Sequence, residues 1–402
     1  MTQKISFLIL VSAVLCAVSC DSSSTSLVKR DEDPRVQQKI RVQITADGPD
    51  GLEIDSSGPI RVFSLDSGKQ LGEFESSSLR VEPLASEIRV GTKKFSSRLR
   101  FTAQPGRHFE VRPDLGSSRR YHYRGVLDVL NYEGVLRVIN ELKVEEYLLG
   151  VVGKEMRGKD FSVEALKAQA IAARTFTLYN LAAAGRQRAD YAFPSSTDFQ
   201  SYGGASFETE QVIQAVQGTR GQVLTFGGKL FQSYYHSTCG GRTCSGQVFN
   251  ERDIEPLKGS ECGFCNKAPR FQWEHNIPVG ELESRLRPWA AERQVKVGKI
   301  LAVEPVDRTE SGHSSYVRVR HSLGSLEVRA DRLRTLLGLT LPSARFESRL
   351  DTQRAQFVFA GKGYGHGVGL CQRGAATLAS QNAGHGDILT HYFPGSGLQT
   401  VY

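Results

Sequence analysis

The hydrophobic pattern of the chain changes its period at Val144. Before this point apolar and polar residues alternate, as at Ile40, Val42 and Ile44, with Gly and Asp-Gly turns between the runs. A period of two is typical of half-buried strands. After Val144 the apolar residues recur at helical spacing, and short strand-like runs return from about residue 221. Strands at both ends and helices in the middle predict an α+β fold.

Two helices are predicted in this middle part, at 145–156 and at 163–185. Ser162 can cap the second helix, and Gly185 marks its end. The second helix is rich in alanine, which lets another backbone approach closely. Further elements are predicted as strands at 123–130, 134–139 and 357–359, and as a helix near 331–337. The strand at 357–359 leads into a Gly-rich loop.

The first 20 residues predict export. The segment 5–18 is almost wholly apolar, the length of a secretory signal and shorter than the roughly 20 residues that span a bilayer. It ends in Ala17-Val18-Ser19-Cys20, which resembles a bacterial lipobox and predicts lipid attachment at Cys20, with simple cleavage nearby as the alternative. We therefore expect an exported cell-envelope lipoprotein whose only membrane anchor is that lipid.

The domain organisation follows from these changes in composition. Residues 21–35, rich in Ser and Asp, are typical of a flexible tether. The predicted regions are a signal peptide at 1–20, this tether, a β-rich N-terminal region at 36–122, and a second region at 123–402 with an α/β insertion at about 274–350.

The positive charge of the chain is concentrated in one segment. The net charge is +8, and residues 80–124 hold 11 Lys and Arg against 4 Asp and Glu. Such a segment suits an anionic polymer, either nucleic acid or cell-wall glycan, although a solvated surface is the more common explanation.

The cysteines outside the first 20 residues are five, at 239, 244, 262, 265 and 371. An odd number cannot all pair within one chain, so two disulfides and one free thiol are one interpretation. The spacing Cys262-Gly-Phe-Cys265 favours another, because two thiolates at C-x-x-C spacing can bind one tetrahedral metal ion. We favour zinc.

Motifs for nucleotide binding and for common hydrolases are absent from the sequence: there is no Walker loop, G-x-G-x-x-G after a strand, H-E-x-x-H or G-x-S-x-G. Three unusual clusters remain, YLLGVVGKEM at 147–156, YYHSTCGGRT at 234–243 and GYGHGVGLCQ at 363–372. In the first, Glu155 ends an apolar stretch, where burial raises the pKa of a carboxyl group toward neutrality. In the third, alternate glycines let backbone approach a ligand and expose His366.

These clusters in this order, with EALKAQAIAART at 164–175 between the first two, resemble the stage II sporulation protein D family. The resemblance is strongest over residues 140–250 and 357–375. The family includes lytic transglycosylases, which are lyases that cleave peptidoglycan glycan strands, and relatives described as enhancers of cell-wall amidases. It implies that 123–402 is a sporulation protein D-like catalytic domain.

The resemblance assigns the catalytic role to Glu155, which matches the glutamate of the family's G-V-V-x-x-E-M motif. A lytic transglycosylase can use one carboxyl group as acid and then base, because the 6-hydroxyl of muramic acid attacks in place of water. Arg174 matches a family arginine that orients the glutamate or binds the lactyl carboxylate, or else forms a buried ion pair. The other expected substrate-binding residues are Tyr235, His236, His366 and Gln372.

Some family members bind zinc near the His-Ser-Thr turn. This implies a structural zinc ion held by Cys239, Cys262 and Cys265 with His236 as fourth ligand, and with Cys244 or Cys371 as substitutes. The expected partners are peptidoglycan glycan strands and a cell-wall amidase, with no nucleic acid. The alternative function is a non-catalytic wall-binding protein that enhances an N-acetylmuramoyl-L-alanine amidase. A Cys/His hydrolase using Cys239 or Cys371 with His366 is a third reading.

Overall fold

A computed structural model describes residues 38–44, 51–75, 78–115, 118–158, 161–184, 193–196, 199–249, 253–338 and 340–402. The predicted signal peptide at 1–20, the tether at 21–35 and the lipidation residue Cys20 lie outside these ranges. The described residues form a mixed α+β fold, as the change of period predicted.

The N-terminal part of the chain forms two sheets with a shared core, which are antiparallel except where β1 pairs with β13. Within the described ranges, twelve strands precede the helix that begins at Val144: β1 (Lys39–Gln43), β2 (Leu52–Ser56), β3 (Ile60–Ser64), β4 (Gln70–Phe74), β5 (Leu79–Pro83), β6 (Glu87–Val90), β7 (Lys93–Ser96), β8 (Arg98–Thr102), β9 (Phe109–Arg112), β10 (Tyr121–Tyr123), β11 (Val126–Tyr132) and β12 (Val135–Lys143). With β13 (Phe193–Pro194), the first sheet has the order β13-β1-β12-β11-β8-β3-β4, and the second has the order β10-β9-β2-β5-β6-β7. Alternate residues of these strands, such as Val62, Leu99 and Val129, are buried, as a period of two requires.

The basic segment 80–124 pairs its charges within the protein. Its arginines at 80, 89, 98, 100, 112, 120 and 124 all form ion pairs with carboxylates, several of which come from outside the segment. Arg100, for example, binds the fully buried Asp128 through two hydrogen bonds of 2.7 and 2.8 Å. Most of the local surplus is therefore balanced by intramolecular partners, and the segment is a weak indication of a polymer-binding surface.

Two helices carry the chain from the sheets to the site. Helix α1 (Val144–Glu155) begins where the period changes, and α2 (Val163–Ala184) begins directly after Ser162. The chain packs against α1 so closely that a Cβ atom on Gly153 would lie 2.0 Å from the carbonyl oxygen of Phe207. No helix within the described ranges combines the length and apolarity that crossing a bilayer requires.

Helix α2 separates two hydrophobic cores. Its residues Ala165, Ala170 and Ala173 pack into the core that it shares with the N-terminal sheets, whereas Ala168 and Ala172 pack into a second core with the C-terminal part of the chain. Alanine on both faces keeps the packed backbones close, which explains why this helix is buried through most of its length.

The remaining elements form the C-terminal half and the insertion. They are α3 (Glu210–Gly218), β14 (Gln222–Phe226), β15 (Lys229–Leu230), β16 (Tyr235–His236), β17 (Gln272–Pro278), α4 (Val279–Ala291), β18 (Ile300–Arg308), β19 (Ser314–His321), β20 (Gly324–Arg329), α5 (Ala330–Leu336), β21 (Phe346–Asp351), β22 (Gln356–Lys362), β23 (Leu370–Cys371), α6 (Gln372–Ser380), α7 (His385–Tyr392) and β24 (Gly397–Thr400), with 3-10 turns at Gly204–Phe207, Gly246–Phe249 and Glu255–Leu257.

The part of the chain from β17 to β22, which includes the insertion predicted at about 274–350 and is called the insertion from here on, has a hydrophobic core of its own. Two three-stranded sheets, β17-β22-β21 and β18-β19-β20, pack with α4 and α5 around buried residues that include Leu282, Leu333 and Phe357. Helix α5 and strand β22 lie where the sequence predicted a helix and a buried strand. Strand β22 then leads into the Gly-rich loop, which connects the insertion to the site.

Candidate active site and cysteine cluster

Glu155 is the last residue of α1, and its side chain is half-buried. The backbone N–H of Ser201 donates to its Oε1 at 2.9 Å, and Nε2 of Gln372 donates to its Oε2 at 3.3 Å. Burial raises the pKa of Glu155 above its usual range, and the two donors oppose that rise. Among the described residues no ion pair includes Glu155, so burial favours its protonated form while the two donors favour its ionised form.

A buried glutamine connects the surroundings of Glu155. Gln200 Oε1 accepts from Tyr147 Oη at 3.1 Å and from Thr177 Oγ1 at 2.8 Å, and its Nε2 donates to Tyr235 Oη at 2.9 Å. Burial, and then the charge of Glu155, raises the pKa of Tyr235 well above its usual value. The phenol of Tyr235 therefore remains neutral beside the carboxylate and keeps its hydroxyl proton available for donation.

Two of the three sequence clusters meet in a short parallel pair of strands. Tyr235 and His236 of β16 pair with Leu370 and Cys371 of β23. The Gly-rich loop before β23 makes this close approach possible: a Cβ atom on Gly369, where φ is +71°, would lie 2.1 Å from the carbonyl oxygen of Tyr234. This pairing places Gln372, directly after β23, against Glu155 of the first cluster.

His366 supports the backbone of this strand pair. Its Nε2 donates to the carbonyl oxygen of Tyr235 at 2.8 Å, and the N–H of Val368 donates to its Nδ1 at 3.1 Å. Burial lowers the pKa of His366 well below its usual value. Both ring nitrogens are thus occupied in a neutral imidazole, which holds Tyr235 in position through its main chain. His366 therefore has no free ring nitrogen with which to form the expected hydrogen bond to substrate.

Four buried thiols lie together beside the strand pair. The Sγ atoms of Cys239, Cys262, Cys265 and Cys371 are all within 4.8 Å of one another, and none is in a disulfide. Backbone N–H groups point at two of them: Gly241 N lies 3.4 Å from Cys239 Sγ, and Cys239 N and Gly374 N each lie 3.4 Å from Cys371 Sγ. Such donors are suited to thiolates, and four thiolates at this spacing suit one tetrahedral zinc ion.

Comparison with known proteins gives the family. Residues 132–226 match the family model described as "Stage II sporulation protein", and residues 250–369 match a domain of unknown function. The stage II sporulation protein D of Bacillus amyloliquefaciens is 31% identical over 270 residues, which cover 64% of this chain and 74% of that protein. The chain belongs to the stage II sporulation protein D family. Glu155 and Gln200 lie inside the first matched region.

Other relatives are similar over different lengths. An uncharacterized protein of Brachyspira hyodysenteriae is 29% identical over 361 residues, 89% of this chain and 92% of that protein. The amidase enhancer of Bacillus subtilis is 26% identical over 297 residues, which cover 62% of this chain and 40% of the enhancer. The sporulation protein D relationship therefore extends well beyond the region matched by its family model.

Arg174 is not a substrate-binding residue in this member of the family. It is fully buried, and its Nε and Nη2 donate to the two carboxylate oxygens of Glu145 at 2.7 and 2.9 Å. Burial alone would raise the pKa of Glu145, but the charge of Arg174 lowers it below its usual range. Of the three roles open at the sequence level, the buried ion pair is the one found.

Replacing Arg174 by Met should destabilise the fold by about 3 kcal/mol, because the half-buried Glu145 would lose its bidentate cation and keep the hydroxyl of Tyr402 and the charge of Arg220. Chemical denaturation followed by circular dichroism measures this change. The matched control is Arg320→Met, which removes an exposed pair with Glu304 and should cost less than about 1 kcal/mol. Equal effects for the two substitutions would contradict the structural role of Arg174.

His236 is corrected in two respects. It lies outside the group of four thiols, where Cys371 takes the fourth position. Its Nδ1 donates instead to the carbonyl oxygen of Val368 at 3.0 Å, and burial lowers the pKa of the imidazole to about 4. With only 4% of its surface exposed, His236 is also closed to a sugar. Through its hydrogen bond to Val368, His236 stabilises the Gly-rich loop.

Gln372 contacts the candidate acid rather than acting as a simple sugar contact. It is buried, and its Nε2 lies 3.3 Å from Glu155 Oε2 and 3.4 Å from Gln169 Oε1. Nε2 of Gln169 is buried and has no hydrogen-bond partner. Both amides therefore belong to the polar surroundings of Glu155, with Gln372 as a positioning residue.

Sequence reasoning did not single out Gln169, Gln200 or Ser201. Gln200 and Ser201 belong to the stretch FQSYGG at 199–204, which combines polar, aromatic and glycine residues as the two recognised loop clusters do. That composition is the sequence signal by which Gln200 and Ser201 could have been recognised as site residues. Gln169 lies in the stretch EALKAQAIAART at 164–175, and its burial next to Gln372 is what distinguishes it within that helical pattern.

Proposed function

We propose that the protein cleaves peptidoglycan glycan strands by lytic transglycosylation, with Glu155 as the single general acid and base. The observation that carries this proposal is the state of Glu155: a half-buried carboxyl group whose pKa burial raises, with an N–H donor on each oxygen. The protein belongs to the sporulation protein D family. That family includes enzymes that cleave peptidoglycan glycan strands, which supports the same conclusion.

In this mechanism the protonated Glu155 gives its proton to the glycosidic oxygen as the bond to the muramic acid C1 breaks. The carboxylate then accepts the proton of the 6-hydroxyl as that oxygen bonds to C1, which leaves a 1,6-anhydro end and restores the acid. The Ser201 N–H and Gln372 Nε2 stabilise the carboxylate between the two steps. A high Tyr235 pKa leaves that phenol as a neutral hydrogen-bond donor at the site.

The four clustered cysteines fit a structural zinc site. When bound, zinc would be held by Cys239, Cys262, Cys265 and Cys371, and it would contribute folding energy as a closed tetrahedral centre. Thiols of this cluster are buried and mutually in contact, so they are poorly suited to act as the nucleophile of a Cys/His hydrolase. Export, with a lipid at Cys20 as the membrane anchor and the chain facing the cell wall, completes the proposal.

The runner-up is a non-catalytic protein that stimulates a cell-wall amidase. The similarity to a relative named amidase enhancer favours it. In this case the same groups around Glu155 would bind glycan without cleaving it.

Product analysis distinguishes the two functions. Purified protein is incubated with intact sacculi and with sacculi from which an amidase has removed the peptides, and the soluble products are examined by mass spectrometry. The proposal expects 1,6-anhydromuramic ends in at least one substrate. The enhancer function would be established instead by two results together: no anhydro ends from either substrate, and faster release of peptides by an amidase in the presence of this protein than in its absence.

A further inference from the structure

A groove in the insertion lies away from Glu155. It has a volume of about 720 Å³, within the roughly 300–1,000 Å³ typical of ligand sites. Its lining comes from the ends of β17, β18, β21 and β22, and it contains neither Glu155 nor a residue hydrogen-bonded to it. The groove falls within the matched domain of unknown function.

A cross-strand row with a glycine at its centre forms one wall of the groove. Trp273 of β17 and Phe346 of β21 both pair with Gly361 of β22. A Cβ atom on Gly361 would lie 2.3 Å from the indole ring, so the glycine is required for the ring to lie over the central strand. Trp273 is half-buried, and its Nε1 is inaccessible. The exposed part of the ring is therefore carbon, a surface that suits the C–H face of a sugar.

Two cations in this groove have no carboxylate partner among the described residues. Arg345 donates to the carbonyl oxygen of Gly240 at 2.9 Å, and Lys362 is exposed without an ion pair. Arg308, in contrast, is paired with Glu347 at 2.7 Å. Glu274 also lies in the lining, so three cations face two carboxylates, and Arg345 and Lys362 are the cations available to an anionic ligand. The bond from Arg345 to Gly240 also fixes the groove beside the cysteine cluster.

We propose that this groove binds a segment of glycan that carries carboxylates. A sugar ring packs on the exposed edge of Trp273, and its acidic substituents contact Arg345 and Lys362. The identity of the glycan as a peptidoglycan strand, whose muramic acids carry lactyl carboxylates, rests on the proposed function. The insertion then binds the glycan strand at a second point, away from the glycosidic bond that is cleaved at Glu155.

The chain contains two tryptophans, which permits a direct test. In Trp289→Phe the only indole is Trp273, and in Trp273→Phe it is Trp289, outside the groove lining. Each full-length variant also carries Glu155→Gln, so that no substrate is cleaved. Fluorescence is titrated with a peptide-free GlcNAc-MurNAc oligosaccharide, with a chito-oligosaccharide of equal length and no carboxylate, and with free stem peptide.

We expect a saturable change in Trp273 emission with the muramic oligosaccharide and none in Trp289 emission. The neutral oligosaccharide should bind about tenfold more weakly or worse. Lys362→Gln should weaken binding by a similar factor, whereas the control Lys299→Gln, also exposed in the insertion, should not. The titration of Trp273→Phe is interpreted only if this variant keeps the wild-type unfolding transition. The comparison of Lys362→Gln with Lys299→Gln tests the proposal independently of Trp273→Phe.

Three results would overturn the proposal: equal affinity for the neutral oligosaccharide, preferential binding of the free peptide, or equal behaviour of the two lysine variants. These measurements do not depend on catalysis. Glycan binding without anhydro products would refute the transglycosylase and keep the groove, and anhydro products without Trp273-dependent binding would do the opposite.

Discussion

Glu155→Gln should reduce the release of anhydromuramic products by at least about a thousandfold. One group serves as acid and base in the proposed mechanism, and each such role contributes about 10²–10⁴ in rate. Glutamine has the shape of glutamate and can still accept from Ser201 N–H, but it has no acidic proton. The measurement is the initial rate of product formation from sacculi, with Glu281→Gln, an exposed glutamate of α4, as control.

The pH dependence of the wild type should agree with this assignment. The reaction needs protonated Glu155, so kcat/KM falls as the pH rises through its pKa, and burial places that fall above the usual glutamate range. The same sign holds for stability: the raised pKa disfavours folding once the carboxyl group ionises. Glu155→Gln should therefore unfold at the same or a higher temperature than the wild type at neutral pH. An inactive variant that has also lost stability would indicate a structural glutamate.

Cys371→Ser should abolish stoichiometric zinc binding and lower the free energy of unfolding by more than about 4 kcal/mol, because loss of a metal is one of the few causes of so large an effect. The cluster holds four buried thiols in the second core, where unpaired thiolates would be costly. Metal content by elemental mass spectrometry and denaturation with and without chelator measure the two effects.

Cys244→Ser is the matched control for the cluster. Cys244 is equally buried but lies outside the group of four, with its Sγ 3.5 Å from Thr309 Oγ1. Its replacement should leave zinc at one ion per chain. Zinc retained by Cys371→Ser and lost by Cys244→Ser would refute the proposed ligand set.

The sequence predicted the fold class and several elements because their signals are local. The change of period at Val144, the start of α2 after Ser162 and the buried strand at 357–359 all depend on neighbouring residues alone. The order of strands in the two N-terminal sheets is a matter of long-range pairing, such as β1 with β12, and no local pattern encodes it.

The site was predictable in its composition and less so in its contacts. The three clusters do converge, but the choice between His236 and Cys371 as the fourth group beside the thiols depends on how β16 pairs with β23. Burial likewise decided the role of Arg174. Its helical position is visible in the sequence, whereas its distance from solvent and its pairing with Glu145 follow from tertiary packing.

Cys371 and Gln372 are consecutive residues, one in the thiol cluster and the other hydrogen-bonded to Glu155. Their Cα atoms are separated by a single trans peptide, about 3.8 Å, so no linker of intermediate length can absorb a displacement of either. One peptide unit therefore connects the thiol cluster to the hydrogen-bond donor of Glu155, and a zinc ion bound as proposed would also fix the position of that donor. A residue inserted between Cys371 and Gln372 would leave the residues of the thiol cluster and those around Glu155 unchanged, but it would remove the rigid connection between the two sites.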